Sequence, residues 1–100
     1  MNDQNAAYVI GHITVKNPQR WDEYRSQVPA TLVPWRGSLV FRGRRLAVLG
    51  GAHDHPDVVV IRFPDAAAAA GWFASAAYQA LIPLREQAAE VVLVSYQADA

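Results

Sequence analysis

The chain has 100 residues, of which 52% are hydrophobic and 18% charged, and it contains no cysteine. This size and composition indicate one packed domain, residues 1–100 with an ordered core over about 7–97, and exclude a disordered chain. Nine basic residues balance nine acidic ones, so no long-range field attracts nucleic acid or an anionic membrane surface.

The N-terminal stretch MNDQNAAY lacks the basic region and the apolar run of a secretory signal. No apolar run reaches transmembrane length. We therefore expect a cytoplasmic protein with no membrane partner.

The first elements in the chain are a strand and a helix. Tyr8–Val15 is rich in β-branched and aromatic residues and predicts the first strand. Asn17 is a good N-cap, and Pro18 fits the first helical position. Pro29 and Pro34 should kink and then end this helix. Its core stripe at helical spacing consists of Trp21, Tyr24, Arg25 and Val28.

The middle of the chain contains three further extended segments. Residues 38–42 and 45–49 surround the turn Arg42-Gly43-Arg44, which predicts either a hairpin or one long bent strand. The polar stretch 52–57 reads as a turn. The run 58–63, VVVIRF, is the most strand-like in the chain and predicts a central strand.

The last third predicts helix and then strand. Asp65 is a natural cap for the alanine-rich run 66–70, and a break is expected near Ser75. A second helical piece should run from Tyr78 to about Ala89, bent by Pro83. Residues 91–97 predict the final strand.

The order β-α-β-β-α-β predicts a ferredoxin-like α+β fold, one antiparallel sheet with both helices on the same face. In the strands at 58–61 and 91–94, the residues that point to either face of the sheet are apolar. The face without helices is therefore apolar too. Burying each such side chain is worth roughly 1.5–3 kcal/mol. We therefore predict a homodimer that pairs through this sheet face.

Three stretches carry a family resemblance: AYVIGHITVKNPQRWDEY, VPATLVPWRGSLVFRGRRLAVLGG and VVVIRFPDAAAAAGWFASAAYQALIPLR. Together they resemble the bacterial family called domain of unknown function 1330, within the dimeric α+β barrel superfamily. The resemblance implies that fold and a dimer. The superfamily ranges from cofactor-independent monooxygenases and isomerases to haem enzymes and proteins without known catalysis, so the fold does not decide the reaction.

The chain departs from the family pattern at several positions. Gly50 and Arg62 stand where the family commonly has glutamate, and His53 or His55 stands near a usual tryptophan. Any role that the family gives those acidic residues is therefore in doubt for this chain.

The resemblance implies a pocket between the helices and the sheet, and we expect six residues to supply it. His12 is the candidate catalytic base or acid, and satisfied packing in the strand is its alternative. Arginines in strand-like runs bind either an anionic substrate or a structural carboxylate partner. The candidate substrate-binding residues are Tyr24, Arg42, Arg62, Trp72 and Tyr78.

Other site types find little support in the sequence. His53 and His55 lack a third ligand, so no metal is predicted, and no motif requires a cofactor. No serine lies in a nucleophile elbow, and no glycine pattern matches a phosphate loop. We expect a protein that binds a small, partly apolar molecule; the alternatives are a cofactor-independent monooxygenase, isomerase or lyase acting on a small aromatic or keto compound, and a structural domain without a site.

Overall fold

Four antiparallel strands form one sheet in the order β2-β3-β1-β4 in a computed structural model that describes residues 5–99. Residues 1–4 and 100 of the predicted domain lie outside this description. β1 occupies a central place and pairs with both β3 and β4. The strands are β1 Ala7–Val15, β2 Ser38–Arg44, β3 Asp57–Phe63 and β4 Ala89–Gln97.

The helices start where the sequence supplies caps. The Asn17 side chain accepts a hydrogen bond from the backbone N–H of Arg20, and Asp65 accepts one from Ala68 in the same way. Along residues 5–99 no helix is long and apolar enough to cross a bilayer. The helices are α1 Pro18–Leu32, α2 Ala66–Ala74, α3 Ala76–Gln79 and α4 Ile82–Ala88, with a short 3-10 turn at Val33–Trp35.

The helices cover one face of the sheet, which we call the helix side. Burial alternates along β1: Ala7, Val9, Gly11 and Ile13 are buried, whereas Tyr8, Ile10 and His12 between them are only half-buried. The core on the helix side centres on Phe63, Trp72 and Tyr78, which are the largest fully buried side chains. The predicted ferredoxin-like α+β architecture is confirmed.

Neither predicted form of residues 38–49, a hairpin or one long bent strand, occurs in the structure. β2 is a single strand that ends at Arg44, and residues 45–49 do not pair with any described strand. A bulge at Val40 shifts the register of β2 against β3 between Leu39 and Phe41. The Gly43 that suggested a turn lies inside the ladder opposite Val58. We call residues 45–56 the arm, because they connect β2 to β3 without regular structure.

The predicted second helical piece is also corrected. It consists of two short helices, α3 and α4, separated at residues 80–81. Pro83 lies in the first turn of α4 and therefore begins a helix instead of bending one, since a residue there needs no backbone donor. Similarly, α1 continues through Pro29 to Leu32 and ends two residues before Pro34.

Gly37 lies where the helix-side core leaves no room for a side chain. A Cβ atom there would come within 2.8 Å of Phe63 Cε1 and 3.0 Å of Leu32 Cδ2. Phe63 is fully buried and cannot move aside. We therefore expect Gly37→Ala to lower the free energy of unfolding by about 1–3 kcal/mol, as measured by urea denaturation.

Gly50→Ala is the matched control for this substitution. A Cβ atom at Gly50 meets nothing within 4 Å, so its free energy of unfolding should stay within about 0.5 kcal/mol of the wild type. Equal stability of the two variants would contradict the close packing inferred at Gly37.

Candidate functional site

An unfilled cleft of about 220 Å³ lies between α1 and the helix side of the sheet. Its walls are mainly apolar, and within residues 5–99 no histidine, aspartate or glutamate lines it. The lining comprises Ile13, Trp21, Tyr24, Arg25, Val28, Pro29, Leu32, Gly37, Leu39, Arg42, Val59, Ile61, Trp72, Val91 and Leu93. Of the predicted site residues, the structure brings Tyr24, Arg42 and Trp72 together here.

Trp72 is a fixed part of the cleft wall. Its indole N–H donates to Thr31 Oγ1 at 2.9 Å, and the Thr31 hydroxyl in turn donates to the carbonyl of Val28 at 2.7 Å. Phe63 and Tyr78 pack against the indole, with ring centroids 5.5 and 4.2 Å from it. These contacts hold the ring in one position, so the wall is preorganised before any ligand enters.

A chain of hydrogen bonds lies behind the wall at Tyr24. The hydroxyls of Tyr24 and Tyr78 share a hydrogen bond of 2.8 Å, and Arg85 donates to the Tyr78 hydroxyl at 2.9 Å. Burial, followed by the neighbouring Tyr78, raises the pKa of Tyr24 far above its ordinary value. The phenol therefore stays protonated at physiological pH. Tyr78 itself is buried behind Tyr24 and does not line the cleft.

Two arginines stand on the solvent-exposed rim of the cleft. Arg42 projects from β2 on the helix side, opposite Val59, and Arg25 projects from α1. Partial burial, followed by the charge of Arg25, lowers the pKa of Arg42. Both guanidinium groups border the same cleft, and two positive charges at one opening favour an anion between them.

Two predicted site residues lie on the other face of the sheet, which we call the open side. The residues of β1 that face it are Tyr8, Ile10, His12 and Thr14, and their cross-strand partners on β3 include Arg62. The expectation that His12 and Arg62 share the helix-side cleft with Tyr24 is therefore wrong. The residues of β3 at 58–61 are apolar on both faces, so the pattern of that strand does not indicate which side the helices cover.

His12 belongs instead to a small cluster of imidazoles on the open side. Its ring contacts the ring of His53 edge to face, with centroids 4.8 Å apart, and His53 lies 5.9 Å from His55. His55 Nδ1 shares a hydrogen bond of 2.9 Å with Thr14 Oγ1. His12 Nδ1 is buried and has no hydrogen-bond partner among the described residues. Over residues 5–99 no group of three or more potential ligands is placed to hold a metal ion.

Sequence reasoning missed the role of Arg25. The helical spacing placed it on the core stripe of α1, beside Trp21 and Tyr24, where an arginine is out of place unless its head group reaches an opening. A charged residue on this apolar stripe was the signal in the sequence that Arg25 borders an opening.

The imidazole cluster predicts a pH-dependent stability. Burial, then His53, then His55 lower the pKa of His12 below its ordinary 6.5. Between the lowered value and 6.5, the unfolded chain binds a proton that the folded chain does not, so stability is full above 6.5 and falls as the pH drops below it. Urea unfolding of the wild type at a series of pH values from about 8 to 5 should show this loss.

His12→Gln should flatten that pH dependence, because it removes the titrating group. His53→Gln should flatten it less, since it removes a neighbouring charge but leaves the burial of His12. The same slope in the wild type and in His12→Gln would rule out His12 as its source.

Comparison with known proteins places this fold in context. A protein of unknown function from Rhodopseudomonas palustris matches with a TM-score of 0.80 at 13% identity, over 97% of this chain and 85% of its own. SnoaB, a cofactor-independent oxygenase from Streptomyces nogalater, matches with a TM-score of 0.66 at 13% identity, over 96% and 95%. A dimeric protein of unknown function and ferredoxin-like fold from Bacteroides fragilis matches with a TM-score of 0.65 at 8% identity, over 97% and 100%.

These structural likenesses show the fold alone, because the identities are low. No curated protein matches the chain by sequence. The model of one family, in contrast, matches residues 6–97, nearly the whole chain. The chain therefore belongs to the family described as domain of unknown function DUF1330.

Proposed function

We propose that this protein binds a small, partly apolar molecule in the helix-side cleft. The observation that carries the proposal is the cleft itself, a space of about 220 Å³ between α1 and the sheet with a mainly apolar lining. An apolar space with fixed aromatic walls and a polar rim has the composition of a small-molecule site.

The volume limits the size of the ligand. A cavity of about 150 Å³ accommodates benzene, whereas sites for drug-sized molecules span roughly 300–1,000 Å³. The cleft therefore suits a molecule of about one ring. Trp21 stacks on Tyr24, with ring centroids 5.2 Å apart, and both rings present apolar surface to the space.

The alternative is a cofactor-independent enzyme of the oxygenase, isomerase or lyase type. The likeness to SnoaB is consistent with it at the level of fold. The cleft, however, is lined by no carboxylate or imidazole among the described residues, and these are the side chains that most often transfer protons. The Tyr24 phenol does line the cleft, but its raised pKa keeps it protonated. We therefore place binding ahead of catalysis. A purely structural domain is disfavoured by the empty space.

Binding can be tested with benzyl alcohol as the probe, since it is neutral and has one ring. Trp21 and Trp72 line the cleft, so occupancy should change the tryptophan fluorescence and raise the Tm. Val59→Phe places an aromatic ring in the space and should abolish the changes in fluorescence and Tm.

Val33→Phe is the control, because Val33 is 73% exposed and lies outside the lining. It should respond like the wild type. Circular dichroism should show that both variants are folded. Benzyl alcohol binding that survives Val59→Phe, or that is absent from the wild type, would overturn the proposal.

We further propose that two copies pair through the open side. Phe41, Val92 and Tyr96 are each about half exposed there. Four strands of seven to nine residues make a face of roughly 20 by 25 Å, which is less than the usual interface of about 800 Å² per partner. The arm extends the apolar surface, because Leu46 and Leu49 are almost fully exposed.

The oligomeric state tests this pairing. We expect a dimer by light scattering at micromolar concentration, and Val92→Lys should shift it toward the monomer because it buries a charge at the interface. Val33→Lys changes an equally apolar residue away from the open side and should leave the dimer intact. A monomeric wild type would refute the pairing.

A further inference from the structure

The rim of the cleft concentrates positive charge. Arg25 and Arg42 border both the apolar cleft and a polar groove beside it, so they lie where the two spaces meet. Arg44 lines the groove as well. The chain as a whole carries no formal net charge, and this local excess is therefore not the result of a basic composition.

The carboxylates near the rim do not neutralise it. Asp57 lines the groove but pairs with Arg44, at 3.7 Å. On α1, Glu23 pairs with Arg20 at 3.7 Å, and Asp22 lines neither space. Across residues 5–99, the salt bridges include neither Arg25 nor Arg42. Two guanidinium groups thus face a common opening with one paired carboxylate nearby.

We infer that the cleft takes a small aromatic carboxylate, with the ring in the apolar space and the carboxylate held between Arg25 and Arg42 at the rim. The inference rests on the proposed function of the cleft and adds the chemistry of the ligand. The cleft volume limits only the size of the ligand, whereas the rim also selects its charge, because an uncharged ring would leave the two guanidinium groups unpaired.

The chemistry of the rim favours a carboxylate. A guanidinium group presents its donors in a planar fork that matches a carboxylate. An anion between Arg25 and Arg42 relieves their mutual repulsion and occupies the position where the cleft opens to solvent. The fixed Trp72 and Tyr24 rings set the depth to which the aromatic part can enter.

The test compares two probes that differ in charge, benzoate and benzyl alcohol, by isothermal titration calorimetry at low ionic strength. The wild type should bind benzoate about tenfold more tightly than benzyl alcohol, and this preference should fall with added salt because the rim is exposed. Arg25→Gln and Arg42→Gln should each lose about tenfold in benzoate affinity. Neither should change the binding of benzyl alcohol.

Arg20→Gln is the matched control, since Arg20 lies on the same helix and pairs with Glu23 away from the cleft. Benzoate affinity should be unchanged in this variant. Equal affinity for both probes, or benzoate binding unaffected by Arg25→Gln and Arg42→Gln, overturns the inference while leaving the proposed function standing. Inorganic phosphate competing as well as benzoate also overturns it. The inference is supported if the wild type prefers benzoate and if Val59→Phe binds neither benzoate nor benzyl alcohol.

Discussion

The hydrogen bond from the Trp72 indole to Thr31 is the interaction on which the helix side depends. It joins α2 to the end of α1 inside the core, where both groups are buried. A buried donor without a partner would cost about 1–3 kcal/mol, so the pair is strongly held. The hydrogen bond fixes α1 at this end, and the cleft lies between the helix and the sheet residues Val59 and Leu93.

The strands and helix starts could be predicted because their causes are local. β-branched runs mark β1 and β3, and the side chains of Asn17 and Asp65 cap the helices that follow them. The segment 45–49 could not be predicted, because its extended pattern finds no partner strand. A strand is defined by its neighbour, which local residue preference does not reveal.

The site was harder to predict than the fold, because it depends on which face of the sheet each strand residue points to. His12 and Gly11 are adjacent, yet they face opposite sides of the sheet, and Gly11 is the one on the helix side, with Val59 Cγ1 3.0 Å from the position of a Cβ atom. A shift of one residue moves a side chain to the other face. The pocket that the resemblance implied does contain Tyr24, Arg42 and Trp72. The pairing of the strands places His12 and Arg62 on the opposite face of the sheet.

The central place of β1 also governs how the chain folds. β1 forms its ladder with β4, where Ala7 is opposite Gln97, so contacts between distant parts of the sequence complete the sheet. Domains dominated by such contacts fold more slowly than those with local ones. During synthesis, one edge of β1 stays unpaired until β4 has left the ribosome, and it is an apolar edge open to misassociation. The last strand to be made therefore protects the first.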